Sequence, residues 1–230
     1  MKRRNFIKKT TIGSAAMVGI PSIVPASVFG KNSPSNRINI GQIGCGRIAR
    51  SHDLPETMNY DVSNVMAVCD LDSNRMKDGK ILVDNFYKEK KDKKRYNGTK
   101  MYEDYREMLL DKDIDAIMIS TPDHWHAQPA IEAALAGKDI YLQKPTSLTV
   151  KEGRQLVDAV KNSDVILQVG TQQRAMPQFR IAAELVRNGR IGKLHTVKIG
   201  LPGDPSGPES TPMAIPNILI YDMWLGSTPK

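Results

Sequence analysis

The chain has 230 residues, 40% of them hydrophobic and 25% charged, a balance that excludes a disordered chain, a collagen-like fibre and a multispan membrane protein. Two cysteines are too few for a disulfide scaffold. The net charge of +8 is local: residues 1–30 hold five bases (Lys2, Arg3, Arg4, Lys8, Lys9) and no acid, and residues 88–95 hold six bases and two acids. The rest is nearly neutral, so no basic face for nucleic acid is expected, and residues 88–95 read as the solvated end of a helix.

The N-terminus reads as an address. A basic segment is followed by residues 10–30, which carry no charge but are interrupted by Gly13, Gly19, Pro21 and Pro25. A positive region, a modest apolar stretch and small residues describe an export signal; a permanent membrane anchor needs a run of about 20 predominantly apolar residues. Arg3-Arg4 followed by Asn5-Phe6-Ile7-Lys8 resembles the twin-arginine signal, whose pathway carries folded proteins. Cleavage fits after Ala26 or Gly30, the expected location is the periplasm or beyond, and a cytoplasmic protein is the alternative.

The body alternates short apolar runs with helical patterns. Strands are expected at residues 38–43, 65–69, 116–120, 140–143, 165–170 and 194–200. Thr149-Val150-Lys151-Glu152 has the form of a capping box, and Phe179, Ala182, Ala183 and Val186 fall on one helical stripe. Such alternation implies an α/β fold, a doubly wound parallel sheet of Rossmann type covered on both faces. The expected division is the signal at 1–30, a nucleotide-binding domain at 36–170 and the start of a second α/β domain at 171–230. A proline-rich extended connection follows Leu201.

Gly44-Cys45-Gly46-Arg47-Ile48-Ala49 gives G-x-G-x-x-A between a strand and a helix. Gly44 permits a tight turn, Gly46 lets backbone approach a pyrophosphate, and Ala49 allows close helix–strand packing. The helix start offers free amides to phosphate. The next strand ends at Asp70, where a carboxylate accepts hydrogen bonds from the ribose hydroxyls and repels a 2′-phosphate, favouring NAD over NADP. A glycine turn that binds nothing, an FAD site and an S-adenosylmethionine site remain alternatives on this loop alone. Thr121-Pro122-Asp123-His124-Trp125-His126 and Gln143-Lys144-Pro145 follow two further strands at the same carboxyl edge. A lysine placed there can hydrogen-bond a substrate hydroxyl or help to move a proton.

Together with VMAVCDLD, residues 115–153, residues 169–197 and YDMWLG, these motifs make the chain resemble the glucose–fructose oxidoreductase/inositol dehydrogenase/rhizopine-catabolism (Gfo/Idh/MocA) family over roughly residues 37–230. The resemblance implies an NAD- or NADP-dependent oxidoreductase acting at a carbon–oxygen centre of a sugar, cyclitol or related compound. It implies cofactor contacts from Gly44, Cys45, Gly46, Arg47, Ile48, Asp70, Thr121, Pro122, His126, Gln143, Lys144 and Pro145, the last often cis in relatives. Lys144 matches the active-site lysine, and Trp125, Gln172 and Arg174 are weaker candidates for substrate. Relatives often associate through the sheet of the second domain.

Two departures stand out. The family's glutamate before the lysine is Gln143 here, a neutral amide that cannot tune the lysine by charge. The family's later base has no counterpart, so the chain reads as cut within its second domain. His124 and His126 alone do not make a zinc site, His52 and His195 read as solvated or structural, and Cys45 and Cys69 read as free thiols rather than a disulfide. Three functions follow: a sugar-oxidising NAD enzyme, a redox-neutral relative that cleaves a glycoside through a transient keto sugar, and a nucleotide-binding module without turnover.

Overall fold

The computed structural model describes residues 36–89, 96, 98–201, 203 and 211–228; the expected export signal and most of the basic run at 88–95 lie outside them. Six strands form one sheet: β1 (Ile38–Ile43), β2 (Ser63–Cys69), β3 (Lys100–Tyr102), β4 (Ala116–Ile119), β5 (Asp139–Leu142) and β6 (Leu167–Val169). Every pairing is parallel and the order is β3-β2-β1-β4-β5-β6, the doubly wound Rossmann order with its switch point between β1 and β4. The apolar runs that announce β1, β2 and β4 follow from this arrangement, because both faces of a parallel sheet are covered.

Register sets the functional edge. Ile43 pairs with Cys69 on one side and Ile119 on the other, Ile119 with Leu142, and Leu142 with Val169. The residues that follow, Gly44, Asp70, Ser120, Gln143 and Gly170, therefore emerge along one line.

Helix α1 (49–58) joins a π-wound stretch, Ala49–Asp53, to a turn, Leu54–Met58, and buries both Asp53 and Leu54. It is followed by α2 (Ser73–Glu89), α3 (Tyr105–Leu109), α4 (Ala127–Leu135) and α5 (Val150–Ser163). Small residues Ala127, Ala130, Ala133 and Ala134 let α4 pack closely. At the start of α5 both halves of the capping box form, with Glu152 N–H donating to Thr149 Oγ1 (3.2 Å) and Thr149 N–H to Glu152 Oε2 (2.9 Å). Leu156 and Ala159 are the positions that α5 buries.

Short α6 (Gln172–Ala175) and α7 (Pro177–Arg187) follow β6, and α8 (Tyr221–Leu225) closes the described chain. The stripe of Phe179, Ala182, Ala183 and Val186 lies on α7 as expected, yet α7 buries none of its residues. The strand expected at 194–200 does not form among the described residues. Val197 and Ile199 are 68% and 80% exposed; with no strand among the described residues pairing with it, a β-prone run stays outside a ladder. Conversely β3 has only three residues, too few to show a period. An Asp84 cluster positions it: the Thr99 amide and hydroxyl donate to Asp84 Oδ1 (3.1 and 2.8 Å), and the Tyr96 hydroxyl donates to the same oxygen. Those hydrogen bonds, together with one from Lys80, hold the Asp84 carboxyl well below its usual range against the opposing effect of burial.

Thr149→Ala removes the cap of α5 and is expected to cost about 1 kcal/mol of stability, read as a lower midpoint with an unchanged slope in urea unfolding.

Candidate functional site

The turn after β1 is fixed by three contacts. Gly44 has φ +83° and donates its N–H to Cys69 O at 2.8 Å. A Cβ at this position would sit 2.7 Å from the Ser120 carbonyl oxygen, so only glycine fits. The Cys45 amide donates to Asp70 Oδ2 at 2.6 Å, and the Asp72 amide to Asp70 Oδ1 at 2.8 Å. Cys45 thus enters the loop through its backbone; its sulfur faces the core, where a Cβ on Gly79 of α2 would lie 2.9 Å from it. Cys45 and Cys69 are both buried free thiols, and burial pushes both well above the usual thiol range.

A cavity of about 270 Å³ opens on this loop, lined among others by Gly44, Gly46, Asp70, Arg75, Thr121, Pro122 and Trp125. A Cβ built on Gly46 meets nothing within 4 Å, so the loop leaves a cradle where a side chain would stand. A helical turn at Arg47 and Ile48 leads into α1, and the amides of Gly46, Arg47 and Ile48 are those that no earlier helical carbonyl serves. Cradle, amides and the Asp70 carboxylate are the donor and acceptor set that a dinucleotide's pyrophosphate and ribose require. Burial raises the Asp70 carboxyl above its ordinary value, opposed by the two amides that it accepts.

Beyond β4 the Thr121 hydroxyl donates to Trp125 O at 2.8 Å. His126 is buried, with Nε2 2.8 Å from Thr121 O and Nδ1 against Pro145 O. Its ring clamps the β4 loop to the β5 loop, with both nitrogens against backbone carbonyls. The Lys144–Pro145 bond is cis, as the resemblance implies. Lys144 and Pro145 are exposed at the carboxyl end of β5 and line neither the cavity at Gly44 nor the one beside His52 and Tyr141.

Gln143 is buried and turned inward. Its Nε2 donates to Asp53 Oδ1 at 2.8 Å, while the Ser120 hydroxyl donates to Asp53 Oδ2 at 2.6 Å. Gln42 Nε2 donates to Gly44 O (2.8 Å) and Ser120 Oγ (3.1 Å). A buried polar chain of Gln42, Ser120, Asp53 and Gln143 therefore underlies the glycine loop and the lysine loop together. Sequence reasoning missed Gln42, Asp53 and Ser120; the available signal was a glutamine inside the apolar run of β1.

Gln172 Nε2 lies 3.2 Å from His52 Nδ1 and borders a second cavity of about 650 Å³ with His52, Asp53 and Tyr141. It does not join the cavity at Gly44, nor does the exposed Arg174. Trp125 does join it and donates its indole N–H to Trp224 O at 2.9 Å. Among the described residues no three His, Cys, Asp or Glu side chains are grouped to hold a metal ion, and no helix is long and apolar enough to cross a membrane.

Comparison with known proteins adds to this geometry. Residues 38–171 match the family model described as an oxidoreductase family with an NAD-binding Rossmann fold. The chain is 33% identical over 189 residues to the uncharacterized oxidoreductase YrbE of Bacillus subtilis, covering 82% of this chain and 51% of that protein. It is 28% identical over 186 residues to a myo-inositol 2-dehydrogenase of Thermotoga maritima, covering 81% and 51%. A point mutant of KijD10, a 3-ketoreductase from Actinomadura kijaniata solved with TDP-benzene and NADP, superposes with a TM-score of 0.58 at 25% identity, over 69% of this chain and 46% of that one. The chain spans about half the length of the curated relatives it matches.

Gln143→Glu would press a second carboxylate against buried Asp53 and replace a donor by an acceptor. It is expected to destabilise the fold by on the order of 2 kcal/mol at neutral pH, with the loss shrinking in acid as one carboxyl takes up a proton; urea unfolding at two pH values reads both.

Proposed function

Because the chain belongs to the Gfo/Idh/MocA oxidoreductase family, whose NAD-binding Rossmann domain it contains, we propose that the protein is an NAD-dependent oxidoreductase of a sugar, cyclitol or sugar derivative, acting at a CH–OH group. The observation that carries this reading is Asp70, its carboxylate fixed by the Cys45 and Asp72 amides at the edge of the Gly46 cradle. A carboxylate so held is an acceptor for both ribose hydroxyls and a repulsive neighbour for a 2′-phosphate, which supports NAD over NADP. The similarity to a myo-inositol 2-dehydrogenase supports a polyhydroxylated substrate.

Bound NAD supplies the hydride acceptor. The chain's own residues do the rest: Gly46, Arg47 and Ile48 offer amides to the pyrophosphate, and Asp70 holds the ribose. Thr121 and Pro122 wall the cleft, while His126 keeps the Thr121 and Pro145 loops at a fixed spacing. Lys144 stands at the carboxyl edge, where its ammonium would donate to the substrate oxygen and stabilise negative charge on it. Gln143 adds no charge beside it; the amide is committed to Asp53. Residues 1–30 are proposed to direct export by the twin-arginine route.

The first test is titration of the full protein with NADH and NADPH, followed by sugar, cyclitol and aryl-glycoside panels. NADH binding with NADH formation from a free sugar or cyclitol supports the proposal, glycoside cleavage without net NADH moves it to the redox-neutral reaction, and no binding of either nucleotide overturns it. Asp70→Ala is expected to weaken NADH binding by about 1.5–3 kcal/mol, the range for hydrogen bonds to a charged group, and to narrow the NADH/NADPH difference. The parent's NADH affinity should also fall with acidification from a higher pH than an ordinary carboxylate would give, since the charged acceptor is lost as the raised carboxyl protonates, and that dependence should vanish in the variant. Lys144→Ala should leave NADH binding near parental while lowering kcat by roughly 10²-fold or more, measured in steady state.

A further inference from the structure

The last described segment returns across the cleft. On one side, Ser73 N–H donates to Ile218 O at 2.9 Å, Ile220 N–H donates to Leu71 O at 3.0 Å, and Asp72 and Leu219 form an antiparallel bridge. These partners sit immediately after Asp70. On the other side, Trp224 O accepts the Trp125 indole N–H at 2.9 Å and lies 2.9 Å from His124 Nε2. Gly226, at φ +62°, presses close to the Trp125 ring: a Cβ there would stand 3.0 Å from it. The segment is thus tied to both lips of the cavity, and Leu219, Met223 and Trp224 complete the cavity wall.

We infer that residues 217–226 are a strap that closes the adenosine half of the dinucleotide cleft, giving the purine an apolar wall and slowing release of the bound dinucleotide. The inference rests on the dinucleotide reading above. Connectivity argues for it: with the pyrophosphate at Gly46 and the ribose on Asp70, the purine lies past Asp70, on the lip that the strap bridges. The strap offers that ring carbon-rich side chains rather than charge, as a heteroaromatic face prefers. Exchange of the dinucleotide requires the backbone bonds on one lip, or the bonds to Trp224 O on the other, to open first.

Two substitutions test this without touching the cradle. Ile220 is 41% exposed and has φ −78°, already close to the angle of proline, so Ile220→Pro deletes the donor to Leu71 O and little else. Gly226→Ala forces a methyl group against the Trp125 ring and lifts the other end. In the full-length protein, loaded with NADH and chased with excess NAD in a stopped-flow fluorimeter, each variant should release NADH about tenfold faster than the parent, the effect expected from losing one or two backbone hydrogen bonds. NADH bound by the parent but released at the parental rate by both variants overturns the strap and leaves the dinucleotide reading standing. A parent that binds neither NADH nor NADPH overturns the dinucleotide reading and the strap with it.

Discussion

The hydrogen bond from the Cys45 amide to the Asp70 carboxylate is the contact from which the carboxyl edge is laid out. It joins the turn after β1 to the end of β2, and it spends a loop amide on the protein rather than on a ligand. The carboxylate is thereby aimed before any ligand arrives, and the next amides of the loop are left to face the cradle at Gly46. Gly44 makes this possible from beneath. Its lack of a side chain lets the turn lie against Ser120, so three strand ends meet at van der Waals distance.

A second constraint operates one layer down. Asp53 is a buried carboxylate that accepts hydrogen bonds from Ser120 and Gln143 at the β4 and β5 ends and lies 3.2 Å from His52 Nδ1. A buried charge is tolerated only when such donors surround it, so Ser120 and Gln143 are fixed in orientation by Asp53 as much as they stabilise it. That explains why glutamine stands before Lys144, a substitution that the sequence alone presents only as a missing charge. The lysine loop is anchored by a neutral donor on a buried acid, and His126 anchors its other end at Pro145.

How much of this could be read from the residues follows from which forces act locally. The strands β1, β2 and β4 and the glycine turn are legible because burial on both faces demands apolar runs and a turn with positive φ demands glycine. The cap of α5 is legible because both partners lie within four residues. The Asp53 chain is not, since its partners are 67 and 90 residues away and nothing in a linear pattern brings them together. The strap is hidden for the same reason, behind a proline-rich connection. Residues 194–200 show the opposite failure: local propensity reads as strand, but a strand is a property of a pair. The apolar stripe of α7 likewise specifies a partner surface that the described residues do not supply.

The two thiols beneath the glycine loop carry a further consequence. Cys45 is sealed between its own loop and Gly79, and it is far from ionising while sealed. An alkylating reagent can reach it only in moments when the loop lifts from α2, so the rate of labelling counts those openings. The molecule contains its own clock for breathing of the phosphate cradle, one that needs no introduced probe and would slow whenever a bound anion holds the loop shut.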